Sequence, residues 1–157
     1  MPIAYIGLGA NLGQPAEQVL QALAGLSGCG RVLAQSPLYR TAPLGEPGQP
    51  DYCNAACAID TLLTPQQLMS RLLELERAAG RVRDGRRWAA RRLDLDLLHY
   101  EGITLDSPEL RLPHPQIGLR NFVLVPLADV APDLEIPGVG RVADAARAIG
   151  RAGLQPW

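Results

Sequence analysis

The chain is 157 residues long, with 47% hydrophobic and 20% charged side chains. That balance supports a real core, excludes a disordered polymer and suits one domain over residues 1–157. Its formal net charge is −1, so no global basic field draws it to nucleic acid or to a membrane surface. Every basic residue is Arg. A sequence without Lys holds no P-loop GK[ST] site, no β3-Lys protein kinase and no Schiff-base chemistry.

Ile3 to Ala10 is a short apolar run ending in glycine and alanine, fit for a buried strand. Pro15 then opens a helix at its first turn, with Val19, Leu20, Leu23 and Leu26 as its apolar face, and Gly28 and Gly30 stop it. Residues 31–40 read as extended, with Pro37 arguing for an edge or a bulge. Residues 42–51 hold three Pro and two Gly and form a loop. Tyr52 to Leu63 reads as a second long strand. Thr64-Pro65-Gln66-Gln67 then gives a capping Thr, a Pro at the first helical position and a Gln three residues after the cap. Leu68, Leu72 and Leu75 give that helix a buried stripe up to Gly80. An Arg-rich segment over 81–92 leads into a strand from Leu93 to Tyr100. A hairpin over 103–113, a Pro-His-Pro turn, an apolar stretch from Phe122 to Val130 and a small Ala-rich helix near 141–149 complete the chain.

The order β-α-β, β-α-β, with two helices for four strands, packs most economically as both helices on one face of a mainly antiparallel sheet. The expected class is α+β, a ferredoxin-like βαββαβ sandwich with a C-terminal extension of a hairpin and short helices that covers the sheet or an edge. Cys29, Cys53 and Cys57 are odd in number and form no CxxC, so packing is their expected role rather than a disulfide or zinc. The start, Met1-Pro-Ile-Ala-Tyr-Ile, lacks a basic segment followed by a hydrophobic one, and no apolar run approaches about 18 residues. A cytoplasmic protein is expected.

The most informative stretch is Arg91-Arg92-Leu93-Asp94-Leu95-Asp96-Leu97-Leu98. On a strand, Asp94 and Asp96 project together while Leu93, Leu95 and Leu97 enter the core. Two such carboxylates repel unless a cation lies between them, and magnesium favours one or two carboxylates plus phosphate oxygens. Alone, the pair also describes a polar sheet face matched to neighbouring arginines. The segment just upstream shifts the reading: Arg81, Arg83, Arg86, Arg87, Arg91 and Arg92 face only Asp84 as an opposing charge. Guanidinium forks suit phosphate oxygens, and a metal on the two acids would bind the same phosphates. Trp88 amid them can cover a base or a closed site. Phosphoryl-type transfer needs this arrangement, because its catalysis is chiefly positioning and charge neutralisation.

A second constellation suits a flat substrate with a polar edge. Tyr52 and Asn54 share one strand face, and Phe122, the single Phe, follows Arg120. Two rings can hold a heterocycle while Asn54 both donates and accepts at its edge. The two aromatics also suit a core. His114 is fixed between Pro113 and Pro115, a structural or a functional place alike. Gly7-Leu8-Gly9-Ala10-Asn11-Leu12-Gly13 resembles a dinucleotide fingerprint, but its third Gly falls one residue late and the element order disagrees with a Rossmann unit.

Residues 87–98, Arg87-Trp88-Ala89-Ala90-Arg91-Arg92-Leu93-Asp94-Leu95-Asp96-Leu97-Leu98, resemble the signature of the 6-hydroxymethyl-7,8-dihydropterin pyrophosphokinase family of folate biosynthesis. The likeness covers essentially the whole chain. It runs through Gly9-Ala10-Asn11-Leu12-Gly13, Tyr39-Arg40-Thr41-Ala42-Pro43, Gln49-Pro50-Asp51-Tyr52-Cys53-Asn54-Ala55, Leu112-Pro113-His114-Pro115 and Arg120-Asn121-Phe122-Val123-Leu124-Val125-Pro126-Leu127. Ala89-Ala90 stands where many members have Gly-Pro, and Pro115 where some have Tyr. The resemblance implies an ATP- and magnesium-dependent diphosphotransferase that moves the terminal pyrophosphoryl unit of ATP to the pterin hydroxymethyl oxygen and releases AMP. It implies two magnesium ions on Asp94 and Asp96, and Arg81 and Arg91 on phosphate, these four being the catalytic set. Glu76, Arg83, Arg87, Trp88, His114 and Arg120 would lie on the nucleotide side. Tyr52 and Phe122 would sandwich the pterin, with Asn54, Thr41 and Leu44 at its edge. The loops 42–51 and 80–92 would close over both substrates. A monomer without nucleic-acid or membrane partners is expected.

Two rival readings remain at this level. A nucleotidyltransferase also carries paired acids and two metals, and would release free pyrophosphate instead of AMP. A ferredoxin-like RNA-binding module could use the Arg segment, but such modules rely on basic fields and exposed stacking rings, which this composition lacks.

Overall fold

The computed structural model describes residues 1–42, 48, 50–80 and 93–157. In chain order the elements are β1 (Ile3–Ala10), α1 (Pro15–Gly25), β2 (Arg31–Gln35), β3 (Tyr39–Thr41), β4 (Tyr52–Asp60), α2 (Pro65–Gly80) and β5 (Asp94–Tyr100). They are followed by β6 (Leu105–Asp106), β7 (Arg111–Leu112), α3 (Asn121–Val130), β8 (Glu135–Ile136), β9 (Gly140–Arg141), α4 (Val142–Ile149) and β10 (Leu154–Pro156). The described residues are thus mixed α/β, with an antiparallel main sheet and four α-helices.

The main sheet runs β10-β3-β4-β1-β5, and β2 also pairs with β4. The segment expected to extend over 31–40 is two strands, not one. Pro37 has no N–H to give to a ladder, and the chain breaks there. Ser36 bridges the break: its N–H donates to the Ala56 carbonyl at 2.8 Å, and its hydroxyl accepts from the Ala56 N–H at 2.9 Å. The second long strand ends at Asp60, not Leu63.

Alternation along β1 and β4 gives the sheet two apolar faces. One carries Ile6, Leu8, Cys53, Cys57 and Ile59, packed with Leu23 and Leu26 and with Leu68 and Leu72 of α2. The other carries Tyr5, Ala56, Ala58 and Leu98 beneath Leu124 and Leu127 of α3 and Val142 and Ala146 of α4. The small Ala56 and Ala58 let α3 lie close to the sheet. In the tail beyond residue 100, α3 and α4 therefore cover the second face, residues 103–112 pack with the first, and the last strand, β10, extends the edge at β3.

The helix signals act as their chemistry predicts. Thr64 and Gln67 form a reciprocal cap: the Gln67 N–H donates to Thr64 Oγ1 at 3.1 Å, and the Thr64 N–H donates to Gln67 Oε1 at 2.9 Å. On α1 the stripe is Val19, Ala22 and Leu23, continued by Leu26, whereas Leu20 is 49% exposed. Leu20 lies about 100° around the helix from Val19 and so falls off the buried side. The hairpin expected over 103–113 is β6 on β7, and the Ala-rich helix is α4.

All three cysteines are buried and free. Burial pushes the Cys53 thiol up to about 11 and the Cys57 thiol up to about 12, so both are neutral packing groups. Among the described residues no helix is long and apolar enough to cross a membrane.

His99 sits on β5 with its ring stacked on Tyr5, centroids 6.0 Å apart, and its Nδ1 is buried with no hydrogen-bond partner. Burial lowers its pKa below the ordinary 6.5, so on acidification the unfolded chain takes up the proton first and stability falls as pH drops below that value. We expect His99→Phe to shrink that loss between pH 6.5 and 5. Urea unfolding at both pH values measures it, and an unchanged pH dependence would contradict this account of His99.

Candidate active site

The described residues do not cover the second face along its whole length. Along β1 the residues on that face are Tyr5, then Gly7 and Gly9. Tyr5 lies under α3 and α4, while the glycines leave bare backbone. A cavity of about 220 Å³ opens over them. Its other walls are Thr41 of β3, Tyr52 and Asn54 of β4, Asp94 and Asp96 of β5, and Arg120, Phe122 and Val123 at the start of α3.

Strand register builds this site. Gly9 pairs with Asn54 on one side and with Asp94 on the other, and Gly7 pairs with Ala56 and Asp96. The bare β1 backbone is thus the floor between an amide wall and a carboxylate wall. At Gly9 the floor must be bare, because a Cβ there would lie 2.9 Å from Asn54 Oδ1; one on Gly7 would lie 3.4 Å from the Leu98 side chain, the near edge of ordinary contact. Asn54 is itself held, since its Nδ2 donates to Thr41 Oγ1 at 2.8 Å in a buried contact.

Leu93, Leu95 and Leu97 are buried among α1, α2 and the hairpin, which leaves Asp94 and Asp96 on the cavity side. Across the cavity Phe122 lies in the first turn of α3, and the Arg120 guanidinium stands 5.6 Å from its ring centroid. One end of the cavity is therefore flat, aromatic and amide-edged. The other is doubly acidic, while the Arg120 fork stands by the Phe122 ring.

Thr41, Tyr52, Asn54, Asp94, Asp96, Arg120 and Phe122, all expected from sequence, meet on this one cavity. Glu76 and His114 do not line it. Glu76 accepts the Leu95 N–H at 2.7 Å through Oε2. The His114 N–H donates to the Leu98 carbonyl at 2.8 Å, while its Nδ1 accepts the Gln116 N–H at 3.2 Å. Leu44, Arg81, Arg83, Arg87, Trp88 and Arg91 lie outside the described residues, as does most of both loops expected to close. Gly7 and Gly9 were legible only as a failed fingerprint. The usable signal was their i, i+2 spacing, the same as that of the two aspartates.

Among the described residues no three of His, Cys, Asp and Glu gather to hold a metal by themselves. Two carboxylates over a glycine floor suit a hard cation that draws its remaining oxygens from a ligand and from water, which is how magnesium is commonly held.

Residues 5–132 match the family model described as 7,8-dihydro-6-hydroxymethylpterin-pyrophosphokinase (HPPK). A Methylorubrum extorquens protein named 2-amino-4-hydroxy-6-hydroxymethyldihydropteridine pyrophosphokinase is 48% identical over 88% of this chain and 88% of its own length. A protein of the same name from Pseudomonas aeruginosa is 46% identical over 85% of this chain and 83% of its own. In fold, the chain is similar to the wild-type Plasmodium falciparum HPPK-DHPS, with a TM-score of 0.70 at 13% identity. That alignment covers 95% of this chain and 44% of the longer one. The chain belongs to the 7,8-dihydro-6-hydroxymethylpterin-pyrophosphokinase family.

Proposed function

We propose that this cavity seats a hydroxymethyldihydropterin and the phosphate end of ATP together, and that the chain transfers pyrophosphate from the second to the first, a step of folate biosynthesis. The observation that carries the reading is the shared floor: Asn54 and Asp94 are both partners of Gly9, on opposite sides of β1. Two strand spacings separate them, about 10 Å. That span suits a bicyclic heterocycle with its edge on Asn54 and its one-carbon arm near the acids.

On this reading Tyr52 and Phe122 hold the ring faces, and Asn54, braced by Thr41, reads the edge, with Leu44 beside them. Asp94 and Asp96 hold two magnesium ions. When bound, these neutralise phosphate oxygens and lower the cost of ionising the attacking hydroxyl. Arg81, Arg83, Arg87, Arg91 and Arg120 supply guanidinium forks to the polyphosphate, with Trp88 and His114 on the nucleotide side, while Glu76 holds the Leu95 N–H of the strand that carries the acids. The hydroxymethyl oxygen forms a bond to the β-phosphorus, and the bond from that phosphorus to the α–β bridging oxygen breaks. AMP leaves with that oxygen, the pterin keeps the pyrophosphoryl unit, and the hydroxyl proton passes to solvent. No covalent nucleophile is needed, because positioning and charge neutralisation account for such transfers.

The same reading takes the chain as a single catalytic unit over residues 1–157, a cytoplasmic monomer without nucleic-acid or membrane partners. Its β1-to-β5 portion is then a ferredoxin-like core, and the residues after 100 extend it. Both helices α1 and α2 on one sheet face support this.

Mixing the protein with ATP, magnesium and 6-hydroxymethyl-7,8-dihydropterin is expected to release AMP and form the pterin diphosphate. Free pyrophosphate with a nucleotidylated acceptor would favour a nucleotidyltransferase instead. Asp96→Ala is expected to lower kcat by several orders of magnitude, roughly the scale of losing metal-held charge neutralisation. Arg91→Ala should slow turnover less. Near-normal rates for Asp96→Ala at ordinary magnesium would end the assignment of the acids. Gly9→Ala is expected to displace the Asn54 amide and weaken pterin binding about tenfold or more, with an overpacking cost of about 1–3 kcal/mol in stability. Calorimetric titration of the pterin, set beside a thermal melt, reads both effects.

A further inference from the structure

Among the described residues β5 is the last strand of the main sheet, and no strand pairs with the side facing away from β1. In an antiparallel strand the N–H and C=O groups of alternate residues point to that open side. Two groups on that side are closed by other means, the Leu98 carbonyl reaching it at the register shift of β5 against Tyr5 and Ile6 of β1. The Leu95 N–H donates to Glu76 Oε2 at 2.7 Å, and the Leu98 carbonyl accepts the His114 N–H at 2.8 Å. These two contacts bracket Asp96. The first also fixes the peptide plane that joins Asp94 to Leu95.

This matters because Asp94 and Asp96 carry like charges on one face of an edge strand. Their mutual repulsion favours any twist of β5 that separates them, and an edge strand has only one neighbour to resist it. Glu76 reaches from the last part of α2, a helix anchored in the core by Leu68 and Leu72. It therefore ties the strand to a rigid element.

We propose that Glu76 is a positioning residue: by holding the Leu95 N–H it sets the pleat of β5, so that Asp94 and Asp96 present their carboxylates to the cavity side by side. The inference rests on the reading of those two aspartates as the cation-holding pair. It assigns the effect of Glu76 to its reach to a backbone amide, not to its charge.

Two variants separate reach from charge. Glu76→Gln keeps an oxygen at the same distance without the charge. Glu76→Asp keeps the charge and falls short by one methylene. Each is compared with the wild-type chain in two measurements. One is amide exchange at Leu95 in the protein without ligands. The other is Mn2+ binding in the presence of a non-hydrolysable ATP analogue, followed by electron paramagnetic resonance.

Glu76→Gln is expected to stay within about threefold of wild type in both measurements. Glu76→Asp should speed exchange at Leu95 about tenfold or more, with the amides of β1 unchanged, and weaken Mn2+ binding about tenfold, the usual scale for losing an outer partner of a metal ligand. The reverse order, equal losses in both variants, or no loss in either overturns the proposal. Failure of the wild type to form AMP would sink the proposed reaction instead, and the ligand-free exchange at Leu95 does not depend on that result.

Discussion

The antiparallel register of β1 on β5 is the constraint on which the site depends. With Gly9 opposite Asp94 and Gly7 opposite Asp96, two acidic side chains rise beside a stretch of backbone that has none. Side chains alternate with a period of two, so a slip of one residue would drive both carboxylates into the leucine core and turn Leu95 out to water. Burying an unpaired carboxylate costs several kcal/mol. The core of Leu93, Leu95 and Leu97 thus fixes the acids, and the hydrophobic effect, which is not directional, places polar groups through strand geometry.

The second apolar face does comparable work at the other wall. α3 brings Phe122 and Arg120 to the cavity from one end and is anchored at the other. There the Tyr39 hydroxyl donates to the Asp129 carboxylate, and the Arg151 guanidinium stands 5.9 Å from the Tyr39 ring centroid. Burial, followed by the hydrogen bond to Asp129, raises the Tyr39 pKa, which keeps the phenol protonated as the donor. Tyr39 is two residues from Thr41 and pairs with Asn54 in the ladder. The contact that seats α3 therefore also lies next to the amide wall.

Local patterns were the legible part of this chain. The Leu-Asp alternation from 93 to 97 gives strand, face and acids at once, because period-two patterning depends only on neighbouring residues. The Thr64–Gln67 cap and the break at Pro37 are likewise local chemistry. What sequence did not show depends on partners far along the chain. Leu20 is apolar and helical yet exposed, since α1 needs only one stripe against the sheet. β10 forms an edge because β3 offers one, and nothing in residues 154–156 announces it. Gly7 and Gly9 look like a defective nucleotide loop until the strand opposite is known. That Glu76 holds a backbone amide 19 residues away is likewise invisible to local pattern.

The bare stretch of β1 has a consequence for chemical intervention. A compound lying flat on it would touch main chain where most binding pockets offer side chains. Escape from such a compound by mutation is narrowly confined, because any larger residue at position 9 would press on the buried Asn54 amide. Inhibitors anchored there would leave the organism few substitutions that spare the enzyme and exclude the drug.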